Sequence, residues 1–409
     1  MGDRLKILFI SMEYPPETGG GGIGSYLVSI APALAALGHD VHVLSAVHGQ
    51  ASRDYVDHGV TIHRRGQTRV RGLGRLRAPH TTARIRAGLS AFIEFHRLQA
   101  KFDVIEYPDW GAEGWVFALA RPVPLVAQLH TPLPLIQQHN GLRLDRDSRI
   151  ATFLERLSVR RAHVISSSSQ LLVSALGDIG WLKARTVEVI PYAVDWIRWQ
   201  DVPDVLNTNP TVLYLGRLER RKAPEVLASA IRILRADIPD ARAMFVGRCG
   251  GRYGDTSYAD WIKGLARDSA SGCVHVEQMP RHELRGVLAS ARVLALPSWF
   301  DSYGMVAVEA MAAGRPVVVT EQTGVAEFVR EAGGGRVVPS DNAEALAESL
   351  RPFLRDANHA HDVGQAGYSA VRTHLDPDRI AARRVALYRR AQQAFAARGR
   401  CSLKTADEP

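Results

Sequence analysis

The sequence predicts an α/β fold made of two doubly wound parallel sheets. Short apolar runs alternate with longer helical patterns, as expected for parallel strands whose sheet is covered by helices on both faces. The alternation pauses around Pro191, Pro203 and Pro210 and then restarts. With 409 residues, the chain is long enough for two domains of about 150 residues or more. We therefore expect two Rossmann-like domains, at 1–195 and 196–379, that face each other across a cleft.

The elements of the first domain follow from hydrophobic periodicity. Residues 6–11 form a short β-type run, and the glycine-rich segment GGGGIG at 19–24 comes soon after it. A helical period then runs from 23 to 37 and ends at Gly38, a residue type that commonly terminates helices. The other elements predicted here are the strands 41–46, 60–64, 103–107, 125–129 and 163–166 and the helix 84–98.

The second domain repeats the same alternation. Its predicted strands are 211–215, 243–247, 274–276, 293–296 and 316–320, and its predicted helices include 225–234 and 282–290. A last helical pattern at 379–395 is amphipathic and basic. Because it lies beyond the second domain, we expect a C-terminal helix at about 380–400 to pack back onto the first domain.

Composition excludes several classes of protein. Apolar residues make up 46% of the chain and charged residues 23%, which is typical of folded globular proteins rather than of disordered ones. No apolar run approaches the roughly 20 residues that a membrane-spanning helix needs, and the run at 7–10 is too short for a signal peptide. Three scattered cysteines cannot build a disulfide framework. We therefore expect a cytoplasmic protein.

Positive charge is concentrated in one part of the first domain. The chain has 51 Lys and Arg against 42 Asp and Glu, a formal net charge of +9. Six arginines with no acidic residue among them are Arg64, Arg65, Arg69, Arg71, Arg75 and Arg77. Such a cluster favours an anionic partner: phosphates, an anionic membrane face or nucleic acid. A solvated basic loop is the alternative.

The segment SWFDSYGMVAVEAMAAGRP at 298–316 carries the strongest functional signal. Asp301 and Glu309 are separated by seven residues, and a helix is predicted from Met305. The start of that helix would present amide groups and a dipole that favour a phosphate or a hydroxyl-rich ligand. Each carboxylate can accept hydrogen bonds from adjacent hydroxyls of a sugar or ribose. A helix cap and a solvated glutamate are the alternative.

A basic loop follows the first strand of the second domain. It reads GRLERRK at 216–222 and places Arg217 and Lys222 five residues apart. An arginine can bind a phosphate through two parallel hydrogen bonds, and a lysine acts as a point charge. The pair can therefore grip a diphosphate from two sides, although a basic surface turn would have the same sequence.

Two weaker signals lie in the first domain. The glycine-rich segment 19–24 would suit a dinucleotide, but that interpretation expects an acidic residue at the end of the next strand. Strand 41–46 ends in Leu44-Ser45-Ala46-Val47 without one, which disfavours it. His130 directly follows strand 125–129 and precedes Thr131. A lone histidine is more often structural, but this one lies at a strand end.

Segment 301–318 resembles the signature of the retaining glycosyltransferases of family 4, which have the GT-B fold of two Rossmann-like domains. The family has Glu, seven residues and a second Glu, followed by Ala-Met and Gly-x-Pro-Val-Val. This chain has Glu309-Ala310-Met311 and Gly314-Arg315-Pro316-Val317-Val318, with Asp301 in place of the first Glu. Residues 190–195 resemble the family's Pro-Asn-Gly-Val-Asp, with Tyr192 and Ala193 in place of Asn and Gly.

The resemblance implies transfer of a hexosyl group from a UDP- or GDP-linked sugar to a hydroxyl acceptor, with retention at the anomeric carbon. The acceptor class stays open between a small molecule, a lipid-linked molecule and a glycan. The nucleotide sugar is a co-substrate rather than a cofactor. Two patterns, at 145–147 and 376–378, have the Asp-x-Asp spacing of metal-dependent transferases. Neither follows an apolar strand, so we interpret both as loop carboxylates and predict no essential metal or other cofactor.

The resemblance also assigns roles to residues. The catalytic group is His130, Arg217, Lys222, Asp301 and Glu309. The donor-binding group is Gly21, Gly22, Ile23, Gly216, Arg217, Lys222, Gly247, Arg248, Met279, Asp301, Ser302, Tyr303, Gly304, Met305, Val306 and Glu309. On the acceptor side we place Arg64, Arg65, Arg69 and Thr131, and we expect either an anionic acceptor or a peripheral membrane contact there. A small hydroxylated acceptor is equally open, as is the oligomeric state.

Two other functions are compatible with parts of the sequence. A sugar-nucleotide epimerase or a phosphorylase would have the same fold, and an acceptor-dependent release of nucleoside diphosphate would distinguish a transferase from them. A nucleic-acid binder would use the arginines at 64–77, but that stretch lacks interleaved aromatic residues and any recognisable binding module. We therefore expect no nucleic-acid partner.

Overall fold

The computed structural model describes residues 4–18, 21–47, 51–67, 77–280 and 283–404. The chain divides into two compact units. The N-terminal unit comprises Met1–Gln137, Arg143–Ala193 and Pro377–Pro409, and the C-terminal unit comprises Gln138–Leu142 and Val194–Asp376. Each unit is a sheet flanked by helices, so the predicted α/β class is confirmed.

The described part of the N-terminal unit contains one sheet of eight strands. Its order is β3-β4-β2-β1-β5-β6-β7-β8, with β3 and β4 antiparallel and the other neighbours parallel. The strands are β1 (Lys6–Ile10), β2 (Asp40–Val47), β3 (Arg53–Asp57), β4 (Val60–Gly66), β5 (Val104–Pro108), β6 (Leu125–Leu129), β7 (Val164–Ser167) and β8 (Val187–Val189).

Two of these strands were not predicted. The edge strand β3 is polar and alternates between partly buried and exposed residues, so it contains no apolar run. The other edge strand, β8, has only three residues, all partly buried. Edge strands of this kind give a weak hydrophobic signal because one side of each faces no neighbouring strand.

Helices connect the strands of the N-terminal unit. Those before residue 180 are α1 (Gly22–Ala36), α2 (Pro79–Arg97), α3 (Trp115–Ala120), α4 (Leu133–His139), α5 (Arg146–Arg161) and α6 (Gln170–Asp178). Helix α2 begins five residues before the predicted start. Its first turn is capped by Asp147, whose carboxylate accepts from the amides of His80 and Thr81, both at 2.8 Å. A cap supplied from 66 or 67 residues away leaves no local signal.

The C-terminal unit has a sheet of six parallel strands among its described residues, in the order β13-β10-β9-β14-β15-β16. The strands of this unit are β9 (Thr211–Leu215), β10 (Arg242–Val246), β11 (Arg252–Tyr253), β12 (Thr256–Ser257), β13 (Cys273–Val276), β14 (Val293–Leu296), β15 (Val317–Thr320) and β16 (Gly335–Val338). Strands β11 and β12 form a separate antiparallel pair.

Helices cover the sheet of the C-terminal unit. They are α7 (Pro224–Leu234), α8 (Tyr258–Arg267), α9 (Leu284–Ser290), α10 (Met305–Ala312), α11 (Ala326–Ala332), α12 (Ala343–Arg355) and α13 (Ala357–His374). Part of helix 282–290 is confirmed, although residue 282 lies outside the described residues. The proline-containing stretch 190–210 is not a loose linker, since it forms the 3-10 turns Trp196–Trp199 and Val205–Asn207, and Trp199 is buried.

The last helix, α14 (Pro377–Lys404), returns to the N-terminal unit, where it packs on α1, β5, β6 and β7. Its apolar side chains Ile380 and Leu387 are fully buried, and each such side chain contributes about 1.5–3 kcal/mol through the hydrophobic effect. No helix within the described ranges combines the length and the apolar character needed to cross a bilayer.

A buried cation on α14 joins the helix to the sheet. The Arg384 guanidinium donates to the Tyr26 hydroxyl, to Gln128 Oε1 and, at 2.7 Å, to Ser166 Oγ. It also lies 3.3 Å from a carboxylate oxygen of Glu106, which completes the ion pair. Because a buried charge is tolerated only when paired and hydrogen-bonded, this network determines where α14 docks.

Candidate functional site

The candidate donor site lies at the carboxyl ends of two neighbouring strands of the C-terminal unit. Strand β9 continues into loop 216–223, and β14 continues into loop 297–304. Because β9 and β14 are paired in the sheet, the two loops meet. The amide of Trp299 donates to the carbonyl of Arg221 at 2.9 Å, and the Arg221 guanidinium donates to the carbonyl of Phe300 at 2.8 Å.

An ion pair joins these two loops. Lys222 Nζ contacts Asp301 Oδ2, and both side chains are largely buried. Burial lowers the pKa of Lys222 to about 8, against the attraction of Asp301. Burial would raise the pKa of Asp301, but Lys222 and Arg221 outweigh it, so that pKa lies below its usual value. Both groups are therefore charged near neutral pH.

Two arginines of loop 216–223 differ in exposure. Arg217 is 60% exposed, and its guanidinium lies 3.6 Å from Glu219. Arg221 is buried and donates to the same carboxylate at 2.7 Å. Tyr214 holds the backbone of Arg217 by donating its hydroxyl to the Arg217 carbonyl at 2.7 Å. Arg217 thus presents a cation to solvent, whereas Arg221, which sequence reasoning did not single out, braces the two loops.

The loop after β14 ends at a position that requires glycine. Gly304 has φ +93°, a left-handed conformation that side chains disfavour. A Cβ there would lie 2.7 Å from Thr323 Cγ2. Gly304 is also the N-cap of α10 and offers no side chain to its amides. The helix start that includes Met305 and Val306 therefore depends on Gly304, as the motif suggested.

The other predicted donor residues of this loop and helix are held in place. The amide of Val325 donates to the carbonyl of Tyr303 at 2.9 Å, and Asp301 is held by Gln322, whose carbonyl accepts from its amide at 2.9 Å. Ser302 is partly buried between them. Glu309 lies in the second turn of α10 and is buried at 4% exposure.

Two glycines allow close contact between neighbouring strand ends. Gly247 has φ +144°, and a Cβ there would lie 2.0 Å from the carbonyl oxygen of Gly216. Arg248 follows Gly247 and is exposed, and Met279 lies three residues beyond β13. These positions lie at the same sheet edge as the ion pair, because parallel strands end at one edge.

In the N-terminal unit, His130 directly follows β6. Its amide donates to Asp109 Oδ1 at 2.9 Å, and its Nδ1 lies 2.6 Å from the Tyr192 hydroxyl oxygen. Burial, with a smaller contribution from Arg384, lowers the pKa of His130 to about 3. The imidazole is therefore neutral. Thr131 follows it and is partly buried.

The glycine-rich segment opens helix α1. Gly21 is the N-cap, Gly22 is the first helical residue, and Ile23 is buried in the first turn. Ile23 and His130 line one pocket of the N-terminal unit, so the structure brings these predicted residues together. Residues 19 and 20 of the segment lie outside the described residues.

Sequence reasoning missed two buried acids at this edge. Asp109 directly follows β5, and burial raises its pKa to about 8. Burial likewise raises the pKa of Glu113 to about 8, although the amide of Met12 donates to both of its oxygens at 3.0 Å. Both carboxyls are largely protonated at neutral pH. The position of Asp109 at the end of predicted strand 103–107 was a signal that could have found it.

Two arginines predicted on the acceptor side are engaged within the N-terminal unit. Arg64 has 0% exposure, and its guanidinium donates to the Tyr14 carbonyl at 2.6 Å and pairs with Glu17. Arg65 pairs with Asp54 at 2.5 Å and with Glu94 at 3.3 Å. Arg64 is therefore not accessible to a ligand in this structure. Its side chain instead anchors segment 14–18. Arg69, Arg71 and Arg75 lie outside the described residues.

The carboxylates that could suggest a metal have other contacts. Asp145 caps α5 by accepting from the amide of Ser148 at 2.8 Å, and Asp147 caps α2. Asp376 accepts from the Trp196 indole at 3.1 Å. Across the described ranges, no three or more His, Cys, Asp or Glu side chains are grouped to hold a metal ion. The absence of an essential metal stays a prediction.

Both units of the chain match known family models. Residues 198–370 match the family model described as glycosyl transferases group 1, and residues 21–193 match the glycosyl transferase 4-like domain. A glycogen synthase from Mycobacterium tuberculosis is 27% identical over 405 residues, which cover 95% of this chain and 95% of that protein. A D-inositol 3-phosphate glycosyltransferase from Corynebacterium aurimucosum is 26% identical over 384 residues, covering 88% and 90%.

Solved structures share the fold. Sucrose-phosphate synthase from Thermosynechococcus elongatus superposes with a TM-score of 0.74 at 23% identity, covering 96% of this chain and 100% of that chain. An Anabaena protein in complex with UDP and glucose gives 0.68 at 18% identity, covering 94% and 99%. These likenesses confirm the GT-B fold. Together with the two family models, they show that the chain belongs to the group 1 glycosyltransferases.

Proposed function

We propose that the chain is a retaining hexosyltransferase that uses a UDP- or GDP-linked sugar and a polyol hydroxyl as acceptor. The observation that carries this proposal is the meeting of Lys222 and Asp301 beside the exposed Arg217 in the C-terminal unit. Two cations and a carboxylate on neighbouring loops support the binding of a sugar diphosphate there. The nucleotide sugar is the co-substrate, with no essential metal.

Donor binding exchanges the partner of Lys222. In the free protein its ammonium is neutralised by Asp301. A diphosphate that enters between Arg217 and Lys222 takes over that role, because phosphate oxygens are strong charge-assisted acceptors. Asp301 then turns to the hydroxyls of the hexose, together with the amides at the start of α10. Glu309 binds the ribose hydroxyls.

The reaction separates charge, and groups of the proposed site stabilise the negative charge that forms. Cleavage of the bond between the anomeric carbon and the phosphate oxygen leaves the electron pair on the diphosphate and positive charge on the sugar. Arg217, Lys222 and the helix amides stabilise the departing anion, an effect that mutagenesis typically values at several kcal/mol. The acceptor oxygen bonds to the anomeric carbon from the same face, and its proton passes to the leaving phosphate oxygen.

The sheet edge of the N-terminal unit carries groups that suit hydroxyl-rich ligands. Neutral His130 can donate to a sugar hydroxyl, and the protonated carboxyls of Asp109 and Glu113 leave this edge with little negative charge. Arg64 and Arg65 are already paired with carboxylates. Because both arginines are already paired, they give no support to a strongly anionic acceptor, and the neutral hydrogen-bonding groups suit hydroxyls. One relative is named for glycogen, a polyol, and another for inositol phosphate, a polyol that also carries a phosphate.

The donor supported best as a first probe is UDP-glucose. Solved relatives of the fold were crystallised with UDP-glucose and with UDP-2-fluoro glucose. GDP-glucose is the matched comparison, since it changes the base and keeps the diphosphate and the sugar; GDP-mannose changes the sugar as well. Selective binding would raise the melting temperature of the protein by mass action.

The test is release of nucleoside diphosphate from each donor, with and without polyol acceptors, followed by NMR of the product's anomeric configuration. We expect release that depends on acceptor, with retention. Lys222→Ala should lower it about a thousandfold, and Glu309→Ala should also lower it strongly. Lys263→Ala, which changes an exposed lysine of the same unit, should leave it unchanged. Undiminished transfer in either site variant contradicts the proposal. Acceptor-independent release would favour an epimerase.

A further inference from the structure

We propose that Tyr192 is a positioning residue for His130: its hydroxyl donates to Nδ1 and holds the imidazole with its proton on Nε2. The inference rests on the proposed function, in which His130 contacts the sugar. Tyr192 stands where the family signature has Asn. The contact is therefore a feature of this chain's own sequence.

The geometry is that of a short, buried hydrogen bond. The Tyr192 oxygen lies 2.6 Å from His130 Nδ1, and Tyr192 is 2% exposed. Another acceptor near that hydroxyl, the carbonyl of Leu129, is 3.4 Å away. At these distances the interaction with Nδ1 is much the stronger of the two.

The direction of the hydrogen bond follows from the chemistry of its partners. Phenol is a stronger acid than a neutral imidazole N–H, and an imidazole nitrogen is a better base than a phenol oxygen. The hydroxyl therefore donates and Nδ1 accepts. Because His130 is uncharged in this environment, its single ring proton lies on Nε2.

The rest of the residue is held from other sides. The His130 amide is bound to Asp109 at 2.9 Å, which fixes the backbone at the end of β6. The ring of Tyr26 stands edge-on to the imidazole with centroids 5.7 Å apart. With backbone and ring face restrained, the hydroxyl of Tyr192 decides which nitrogen carries the proton.

The consequence is that the hydrogen-bond donor of His130 is already oriented before the sugar binds. With Nε2 protonated, His130 offers a hydrogen to a sugar hydroxyl oxygen without rearranging first. Without the Tyr192 hydroxyl, the two tautomers become comparably populated, and part of the protein presents a lone pair instead. Preorganised donors stabilise a transition state more than donors that must reorient.

The first experiment measures the tautomer directly. Imidazole ¹⁵N spectra of the full chain contain signals from 15 histidines, and His130→Gln identifies those of His130. We expect a pyridine-like Nδ1 and a pyrrole-like Nε2 in the unmodified protein. In Tyr192→Phe the two shifts should move toward each other. A merely structural tyrosine would leave the tautomer unchanged.

The second experiment is a double-mutant cycle on transfer. Tyr192→Phe should lower kcat about fivefold to tenfold, the usual worth of one hydrogen bond, with KM for the donor little changed. In a His130→Gln background the same substitution should have no further effect on kcat. Tyr107→Phe is the matched control: that buried tyrosine donates to the carbonyl of Ser158 at 3.1 Å.

The outcomes separate this inference from the proposed function. Unchanged His130 shifts in Tyr192→Phe, or equal effects of Tyr192→Phe in both backgrounds, overturn the positioning role while transfer stands. A chain that transfers no sugar contradicts the proposed function, and the ¹⁵N spectra then still decide the Tyr192–His130 contact. A loss of kcat in Tyr107→Phe as large as that in Tyr192→Phe also overturns the inference.

Discussion

The two sheet edges of this protein have the same architecture but differ in ionisation. The edge of the C-terminal unit carries charged groups, and the edge of the N-terminal unit carries uncharged ones. At the edge of the C-terminal unit, Lys222 and Asp301 are both ionised and Arg217 is exposed. At the edge of the N-terminal unit, His130 is neutral and Asp109 and Glu113 are largely protonated. The comparison shows that a strand end supplies a position, and that the neighbouring charges decide which ligand chemistry suits it.

The difference has a simple physical cause. Asp109 and Asp301 are both buried carboxyls that follow strands. The Oδ1 of Asp109 accepts from the amides of Trp110 and His130, but burial dominates and its pKa rises. Asp301 has Lys222 and Arg221 beside it, and its pKa falls. A nearby full charge outweighs desolvation where amide dipoles do not.

The largest expected effect is on the charged edge. In the proposed function, Lys222→Ala removes the cation that faces the leaving diphosphate, so kcat/KM for transfer should fall about a thousandfold. His130→Gln changes a neutral donor and should cost about tenfold. Steady-state kinetics with one donor and acceptor measure both. Equal losses would contradict the expectation that the charged edge contributes more to catalysis than the neutral edge.

The next effect concerns the cation beneath the neutral edge. Arg384→Met leaves the Glu106 carboxylate buried without its partner, and the free energy of unfolding should fall by about 3–5 kcal/mol. The comparison variant is Arg383→Met, since Arg383 is exposed and donates to the carbonyl of Val189 at 2.8 Å; it should cost under about 0.5 kcal/mol. Urea denaturation measures both. Similar losses would show that burial of Arg384 is unimportant.

A comparable effect is the pH dependence of stability. The folded pKa of Asp109 lies near 8, far above its value of about 4 in the unfolded chain. The folded protein binds more protons in this interval, so Asp109 should make stability fall as pH rises from about 4 to 8, by about 1.4 kcal/mol per pH unit. Glu113, whose folded pKa also lies near 8, adds a similar slope, so Asp109→Asn should remove about half of the total slope. An unchanged slope would mean that Asp109 is ionised in the folded protein.

The smallest effect is the pH dependence of donor affinity. Lys222 is charged below its pKa of about 8, so raising the pH from 7 to 9 should weaken UDP binding by up to about tenfold. Asp301→Asn removes the carboxylate that raises this pKa, and the loss of affinity should then begin at lower pH. Calorimetric titration with UDP measures the shift. Identical pH profiles would separate Lys222 from Asp301 in function.

Much of the fold and of the candidate donor site was predictable because those features are local in sequence. Strands such as β9 and β15 are apolar runs, and Gly304 precedes a helical pattern in a recognisable motif. Asp301 and Glu309 lie on one loop and helix, so their spacing survives in any fold of that segment. The edge strands β3 and β8 were missed because their burial is partial.

The sequence alone therefore determined the fold class, the family and the residue types at the candidate donor site. Only the tertiary structure decided how those residues are charged and paired. Lys222 and Asp301 are 79 residues apart. The sequence predicted Arg64 as an exposed cation, but in the fold it is buried against segment 14–18. Ionisation and burial depend on neighbours brought together by the sheet, and a local pattern contains no record of those neighbours.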